Sequence, residues 1–339
     1  MTVMLANGLV DLETLTGNVV PTDIRSYSMF LYGVPKVGKT TFINELYTDG
    51  KLGKSPLFLG FENGFKNIPG LHGILIDSYA TLNMYMMQLQ KPSIREKYDT
   101  LVFDTFDQFA YICKQQVCDT YGKDTIGEAK AHGGAYEIWD AKILSVLKKI
   151  YKLGYNCVFI SHSKVNKVVD PITNEEYMKY YPKAPQRALD IILPDMDQIW
   201  FVFKKPNGER CIYTRESKYY FAGSRVTSVD LPEEMPYDVE EVKRIFSENV
   251  AKGVSDEFKT EEIRQHSIPQ REIDYKELLR EIQEIGNKLF EAGKVNECNQ
   301  IITKELGVND DGTPRLLQNC TETQIPALEM ILINLKELL

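Results

Sequence analysis

The sequence predicts an α/β core with a mainly parallel sheet, followed by a small helical C-terminal domain, and three observations carry that prediction. From Ser26 to about Phe203, short β-rich apolar runs alternate with helical patterns, the signature of strands joined by crossover helices. A glycine-rich turn, Gly33 to Thr40, joins the first of those strands to a helix-compatible run. After about Val254 the chain turns polar and aperiodic, and beyond that it shows helical periodicity alone.

The strands are expected at Tyr27 to Leu31, Pro56 to Gly60, Gly73 to Ile76, Leu101 to Phe103, Cys157 to Ile160 and Gln198 to Phe203. Glu137 to Leu153 sets Ile138, Ala141, Leu144 and Leu147 at helical spacing, and Gly154 supplies a C-terminal stop. The run WFVFKKPNGERCIYTRE reads as two strands about a turn containing Asn207-Gly208. Leu278, Leu279, Ile282, Ile285 and Leu289 mark one amphipathic helix, with two more expected at Val295 to Leu306 and Ile325 to Leu339. The domain boundaries expected are an N-terminal segment 1–25, a core 26–250, a linker 251–271 and a helical domain 272–339.

A chain of 339 residues, 43% hydrophobic and 26% charged, can bury a full core plus a smaller appendage. The net charge of -8 is unevenly spread: 10 Lys/Arg against 17 Asp/Glu fall in 255–339, leaving 30 against 31 in the rest. A near-neutral core has room for local basic stripes, so the global charge excludes no nucleic-acid partner. The six cysteines form no C-x-x-C pair and suggest neither a zinc site nor a disulfide framework. No window reaches the length of a membrane span, and the N-terminus lacks a basic n-region. A cytoplasmic protein without a membrane partner is expected.

The motif G-x-x-x-x-G-K-[ST] is complete: Gly33, Val34, Pro35, Lys36, Val37, Gly38, Lys39 and Thr40, followed by Thr41. Its backbone N–H groups and the helix N-terminus face phosphates, Lys39 reaches the β/γ-phosphates and Thr40 ligates magnesium, so ATP and Mg2+ are the expected ligands. Asp104 ends an apolar run at the position of a magnesium partner, with Asp107 ranked second. Glu62 ends the strand after the phosphate loop, where a carboxylate can deprotonate attacking water. In CVFISHSK, Ser161 and His162 end another strand, placed to sense a γ-phosphate.

These stations, GVPKVGKTTF, FENGF, FDTFDQF and FISHSK, resemble the RecA-like ATPases, and more closely the phage-encoded RecA-core proteins that serve in single-strand annealing. The likeness covers roughly Ser26 to Pro236. It implies Glu62 as the water-activating residue, Asp104 as the magnesium partner and His162 as a switch where bacterial recombinases have Gln. It also implies that the loop after the sensor strand contacts DNA, the alternative being a surface loop or β-hairpin whose tyrosines pack on the core. There Lys164, Lys167, Lys179 and Lys183 are interleaved with Tyr177, Tyr180 and Tyr181, cations for phosphates and rings for unstacked bases. A second loop offers Lys123, Lys130 and His132.

Cations late in such cores act on the neighbouring subunit's nucleotide, which implicates Arg215 and Lys218 and implies self-association into a ring or filament. The acidic helical tail is expected to mediate assembly or to dock a partner such as a single-strand-binding protein. The reading is an ATPase that binds single-stranded DNA and promotes annealing or pairing. A helicase-type motor or loader and a small-molecule kinase stand as alternatives.

Overall fold

The computed structural model describes residues 12–48, 54–130, 133–226, 230–261, 275–309 and 312–339. His132, of the second basic loop, lies outside them. In chain order the strands are β1 (Val20–Pro21), β2 (Met29–Gly33), β3 (Leu57–Gly60), β4 (His72–Leu75), β5 (Thr100–Asp104), β6 (Asn156–Val169), β7 (Glu176–Pro182), β8 (Gln198–Lys204), β9 (Arg210–Tyr213), β10 (Gly223–Ser224), β11 (Glu234–Pro236) and β12 (Lys259–Thr260). The helices are α1 (Lys39–Tyr47), α2 (Tyr79–Gln88), α3 (Pro92–Lys97), α4 (Phe106–Tyr121), α5 (Ile126–Ala129), α6 (Gly134–Lys152), α7 (Gln186–Ile192), α8 (Val239–Gly253), α9 (Tyr275–Glu291), α10 (Val295–Leu306) and α11 (Ile325–Leu338).

The described residues fall into two compact units, one beginning at Gly17 and one containing α9 to α11. In the larger, the sheet runs β11-β9-β8-β2-β6-β5-β3-β4, with β10 on β8 and β7 on β6. The six strands from β8 to β4 are parallel, whereas β7, β9, β10 and β11 are antiparallel to their neighbours, so the sheet is mixed.

Alternation along β2 explains the layering. Phe30 and Tyr32 enter a core with Phe103, Phe159 and Phe201 beneath α4 and α6. Met29 and Leu31 enter a second core with Val102, Ile160 and Trp200 beneath α1 and α8. Strands buried on both faces read as unbroken apolar runs, which is why the sequence located them. The register aligns their C-terminal ends: Gly33 lies opposite His162, and Asp104 opposite both Gly60 and Ile160. One rim of the sheet therefore collects every strand-end residue singled out above. β2, flanked by β6 and β8 and left toward the distant β3, marks the point where ligands lodge in open α/β sheets.

Several expectations shift. In α6 the buried face is Trp139, Ile143, Val146, Leu147 and Ile150, so Ile138, Ala141 and Leu144 lie beside the core rather than in it. The core also extends past 26–250, because Val20 and Pro21 pair with Lys259 and Thr260, and Thr22 N–H donates to Thr260 O at 2.9 Å. Apolar periodicity cannot reveal a two-residue pairing between segments so far apart. In the smaller unit, Ile282, Ile285 and Leu289 of α9 pack with Leu328, Ile331 and Leu335 of α11 around a separate core.

Candidate nucleotide site

The phosphate loop leaves β2 at Gly33, where a Cβ would stand 2.5 Å from the backbone oxygen of Val202, so only glycine fits between the parallel strands. The loop turns through Lys36 at φ 63° and Gly38 at φ 107°, and α1 begins at Lys39. From outside, Tyr237 Oη donates to Gly38 O at 2.7 Å, and Arg210 Nη1 donates to Val37 O at 3.3 Å. The Arg210 guanidinium lies 3.9 Å over the Tyr237 ring. Sequence reasoning missed both as partners of this loop; they come from β9 and from just after β11, with no local signal linking them to a loop 173 and 199 residues earlier.

Lys39 is buried, and its Nζ donates to Gly33 O and Val34 O at 3.0 Å each. Burial lowers its pKa from 10.5 to about 8, opposed by Asp104, Asp107 and Glu62. A desolvated ammonium satisfied only by neutral carbonyls suits a polyphosphate. Thr40 Oγ1 donates to Asp104 Oδ2 at 2.7 Å. Burial raises the Asp104 pKa, while the Thr40 hydrogen bond and then Lys39 oppose the shift. A hydroxyl and a buried carboxylate form a hard oxygen pair of the kind Mg2+ accepts when substrate phosphates and water complete its shell. Among the described residues no group of three or more His, Cys, Asp or Glu is placed to hold a metal by itself. The residues present therefore fit Mg-ATP, with Thr40 and Asp104 on the magnesium side.

Beyond Asp104, Glu62 follows β3. Thr105 Oγ1 donates to its Oε1 at 3.0 Å, and His162 Nε2 lies 3.4 Å from its Oε2. The carboxylate remains 37% exposed, so a water molecule can reach it. His162 Nδ1 is buried without a hydrogen-bond partner among the described residues, so Nε2 carries the ring's contact with Glu62.

Asp107, the second-ranked magnesium candidate, works elsewhere. It sits in the first turn of α4, where Ser161 Oγ donates to its Oδ1 at 2.5 Å and His162 N–H to its Oδ2 at 3.2 Å. Burial pushes its pKa up against those hydrogen bonds. Asp107 thus anchors the end of β6 that presents His162.

The segment after His162 takes the alternative form, a β-hairpin, rather than that of an open loop. β6 continues to Val169 and folds back as β7 in a register pairing Lys164 with Tyr181 and Lys167 with Met178. Lys167 pairs with Glu176 at 2.5 Å, and buried Lys179 with Glu216 at 2.7 Å. Tyr180 packs its ring on Phe201, with 5.1 Å between centroids, and Tyr181 stacks on Phe221 at 6.2 Å. Tyr177 lies under Lys218 at 4.9 Å. Lys179, Tyr180 and Tyr181 are therefore engaged within the protein, with Glu216, Phe201 and Phe221 on either side of β7. Lys164 and Lys183 form no ion pair among the described residues. Arg215 pairs with Asp230, and Lys218 lies 3.9 Å from Asp170; neither touches the phosphate loop of its own chain.

A phosphate loop opening α1, an acidic residue beside its threonine and a second strand-end carboxylate define a P-loop ATPase. The family model described as "AAA domain" matches residues 25–226, and the chain belongs to that family. It is 26% identical to the "SPbeta prophage-derived uncharacterized protein YorG" of Bacillus subtilis (strain 168), over 97% of this chain and 99% of that one. Among the described residues no helix is long and apolar enough to cross a membrane.

Proposed function

We propose that the protein hydrolyses Mg-ATP, binds single-stranded DNA, self-associates and promotes strand annealing or pairing during phage recombination. The carrying observation is the continuity of β6. His162 contacts Glu62 at the nucleotide site, and the same strand runs on to Val169 with no break in its pairing to β7. A displacement of β6, or of the segment hydrogen-bonded to it after β7, is transmitted to the ring beside the carboxylate proposed to activate water. The AAA domain and the prophage origin of the relative support the ATPase and phage parts of this reading, and the resemblance to annealing proteins supports the rest.

In this function Gly33 to Thr41 cradle the phosphates, and Lys39 leaves its two carbonyl partners for phosphate oxygens. Thr40 and Asp104 hold magnesium, which supplies charge neutralisation at the β/γ-phosphates. Glu62 accepts the proton of attacking water. Thr105 and His162 keep its two oxygens aimed. Arg215 or Lys218 acts on the nucleotide of an adjoining subunit once oligomers form.

The test is ATP turnover by the pure protein with and without single-stranded DNA, combined with sizing of the same mixtures. Stimulation accompanied by growth into larger assemblies is expected. Turnover indifferent to DNA at a fixed small size would sink the DNA part and favour a small-molecule kinase.

A further inference from the structure

Next to the nucleotide site, the first three turns of α4 and the segment after β7 enclose a cleft of about 350 Å³, lined by Asp107, Gln108, Tyr111, Lys114, His162 and Lys183 among others. We propose that this cleft, and not the face of the β6–β7 hairpin, receives single-stranded nucleic acid. The inference rests on the DNA-binding reading above and specifies where that binding occurs.

The hairpin is poorly equipped for the task. Lys167 faces Glu176 and Lys179 faces Glu216, so two of its three cations are already neutralised and Lys164 alone is left. Tyr180 and Tyr181 spend their faces on Phe201 and Phe221. Each ring therefore offers a base less free surface than an unpartnered one.

The cleft has the complementary properties. Gln108, Tyr111 and Lys114 recur at three-residue spacing along α4, so they share one helix face. Tyr111 is 56% exposed, a large ring surface in water with no ring partner among the described residues. Lys114 comes from α4 and Lys183 from the segment after β7, and neither forms an ion pair among the described residues. Two free cations flanking an open aromatic face match a sugar-phosphate backbone with one unstacked base between the phosphates. The volume suits about one nucleotide. A base held by stacking and two phosphates held by ammonium groups give binding without sequence readout.

The floor of the cleft connects to hydrolysis. Asp107 and His162 line it, and His162 is the residue that contacts Glu62. Lys183 N–H donates to His162 O at 2.8 Å, which ties one cationic wall to the switch through a single backbone hydrogen bond. Drawing Lys183 toward a phosphate pulls on the carbonyl of His162. Strand occupancy is thereby communicated to the carboxylate that activates water.

The experiment measures binding of a fluorescein-labelled oligothymidylate to the full chain by anisotropy, with Mg-ATP present, over a range of salt. Thermal melting of each variant checks that it is folded. Tyr111→Ala, Lys114→Glu and Lys183→Glu are each expected to weaken binding about tenfold or more, in line with base stacking and phosphate contacts. Each lysine variant should also lower the slope of log affinity against log salt by about 0.7. Lys167→Glu and Tyr177→Ala, in the hairpin, are expected to stay within about twofold of the parent. Loss confined to the hairpin variants overturns the proposal while leaving the DNA-binding reading intact, as does full affinity in all three cleft variants. A parent chain that binds no oligothymidylate overturns both. A change of oligomer size in Lys114→Glu or Lys183→Glu without loss of oligonucleotide binding assigns the cleft to a second copy of the chain and overturns it as well.

Discussion

His162 Nε2 lies 3.4 Å from Glu62 Oε2, while Thr105 Oγ1 holds the other oxygen of the same carboxylate at 3.0 Å. The carboxylate is thus fixed from two sides while remaining 37% exposed. Glu62→Gln keeps both contacts geometrically but removes the basic oxygen, so steady-state turnover should fall about 10²- to 10⁴-fold while nucleotide affinity stays nearly constant. An unchanged rate would show that Glu62 is not the base. His162→Gln, which can still donate to Glu62, should retain more turnover than His162→Ala, with the difference in kcat rather than KM.

Asp104 sits in surroundings that disfavour its charged form. Burial raises its pKa, and the Thr40 hydrogen bond, Lys39 and His162 oppose that shift. Its folded value lies above its unfolded value, so the penalty is present at neutral pH and fades once acid protonates the group in both states. Asp104→Asn should therefore raise the nucleotide-free Tm at pH 7 by ~2–4 °C, lose that advantage in acid, and abolish magnesium-dependent turnover. A lower Tm at pH 7 would contradict the desolvation argument.

Lys39 titrates in the opposite sense. Its folded pKa of about 8 lies below the ordinary 10.5, chiefly through burial. Between those values the unfolded chain holds the extra proton, so the cost of the buried ammonium is full below pH 8 and disappears as pH rises through the window. That cost is on the order of 3 kcal/mol. Chemical denaturation at pH 7 should find Lys39→Met more stable than the parent without nucleotide, with the gap closing toward pH 10. The same variant should fail to bind ATP, and the parent's ATP affinity should decline above about pH 8.

Tyr237 braces the phosphate loop through Gly38 O. Removing its hydroxyl in Tyr237→Phe leaves that carbonyl with its helical partner Phe42 N–H, so stability should fall by about 1 kcal/mol in denaturant melts. Loss of the brace should weaken ATP binding several-fold more than it slows turnover of bound ATP. Equal effects on both would point to a role in chemistry rather than in loop position.

The phosphate site was legible because its parts are local. Gly33, Gly38, Lys39 and Thr40 lie in one turn, and Glu62, Asp104 and His162 each end an apolar run that betrays its strand. What escaped depends on long-range pairing. The basic, tyrosine-rich stretch looked like a loop because neither β6 nor β7 can be recognised past His162 without its partner. Only the folded chain shows that Lys179 is buried against Glu216 and that Tyr180 packs on Phe201. Asp107 looked like a spare magnesium ligand because sequence does not give the phase of α4, which points its carboxylate at Ser161. Arg210 and Tyr237 reach the loop through the sheet order β11-β9-β8-β2, and no short window contains that order.

The pairing of Val20 with Lys259 brings the two ends of the core within a strand's width of each other. The path of the chain through this unit is accordingly almost a closed circuit, and where the circuit is opened is a matter of genetic convenience rather than of architecture. A short peptide joining residue 260 to residue 20, with new termini cut at the exposed turn around Asn174, should yield a core that folds with the same sheet and an unaltered phosphate loop.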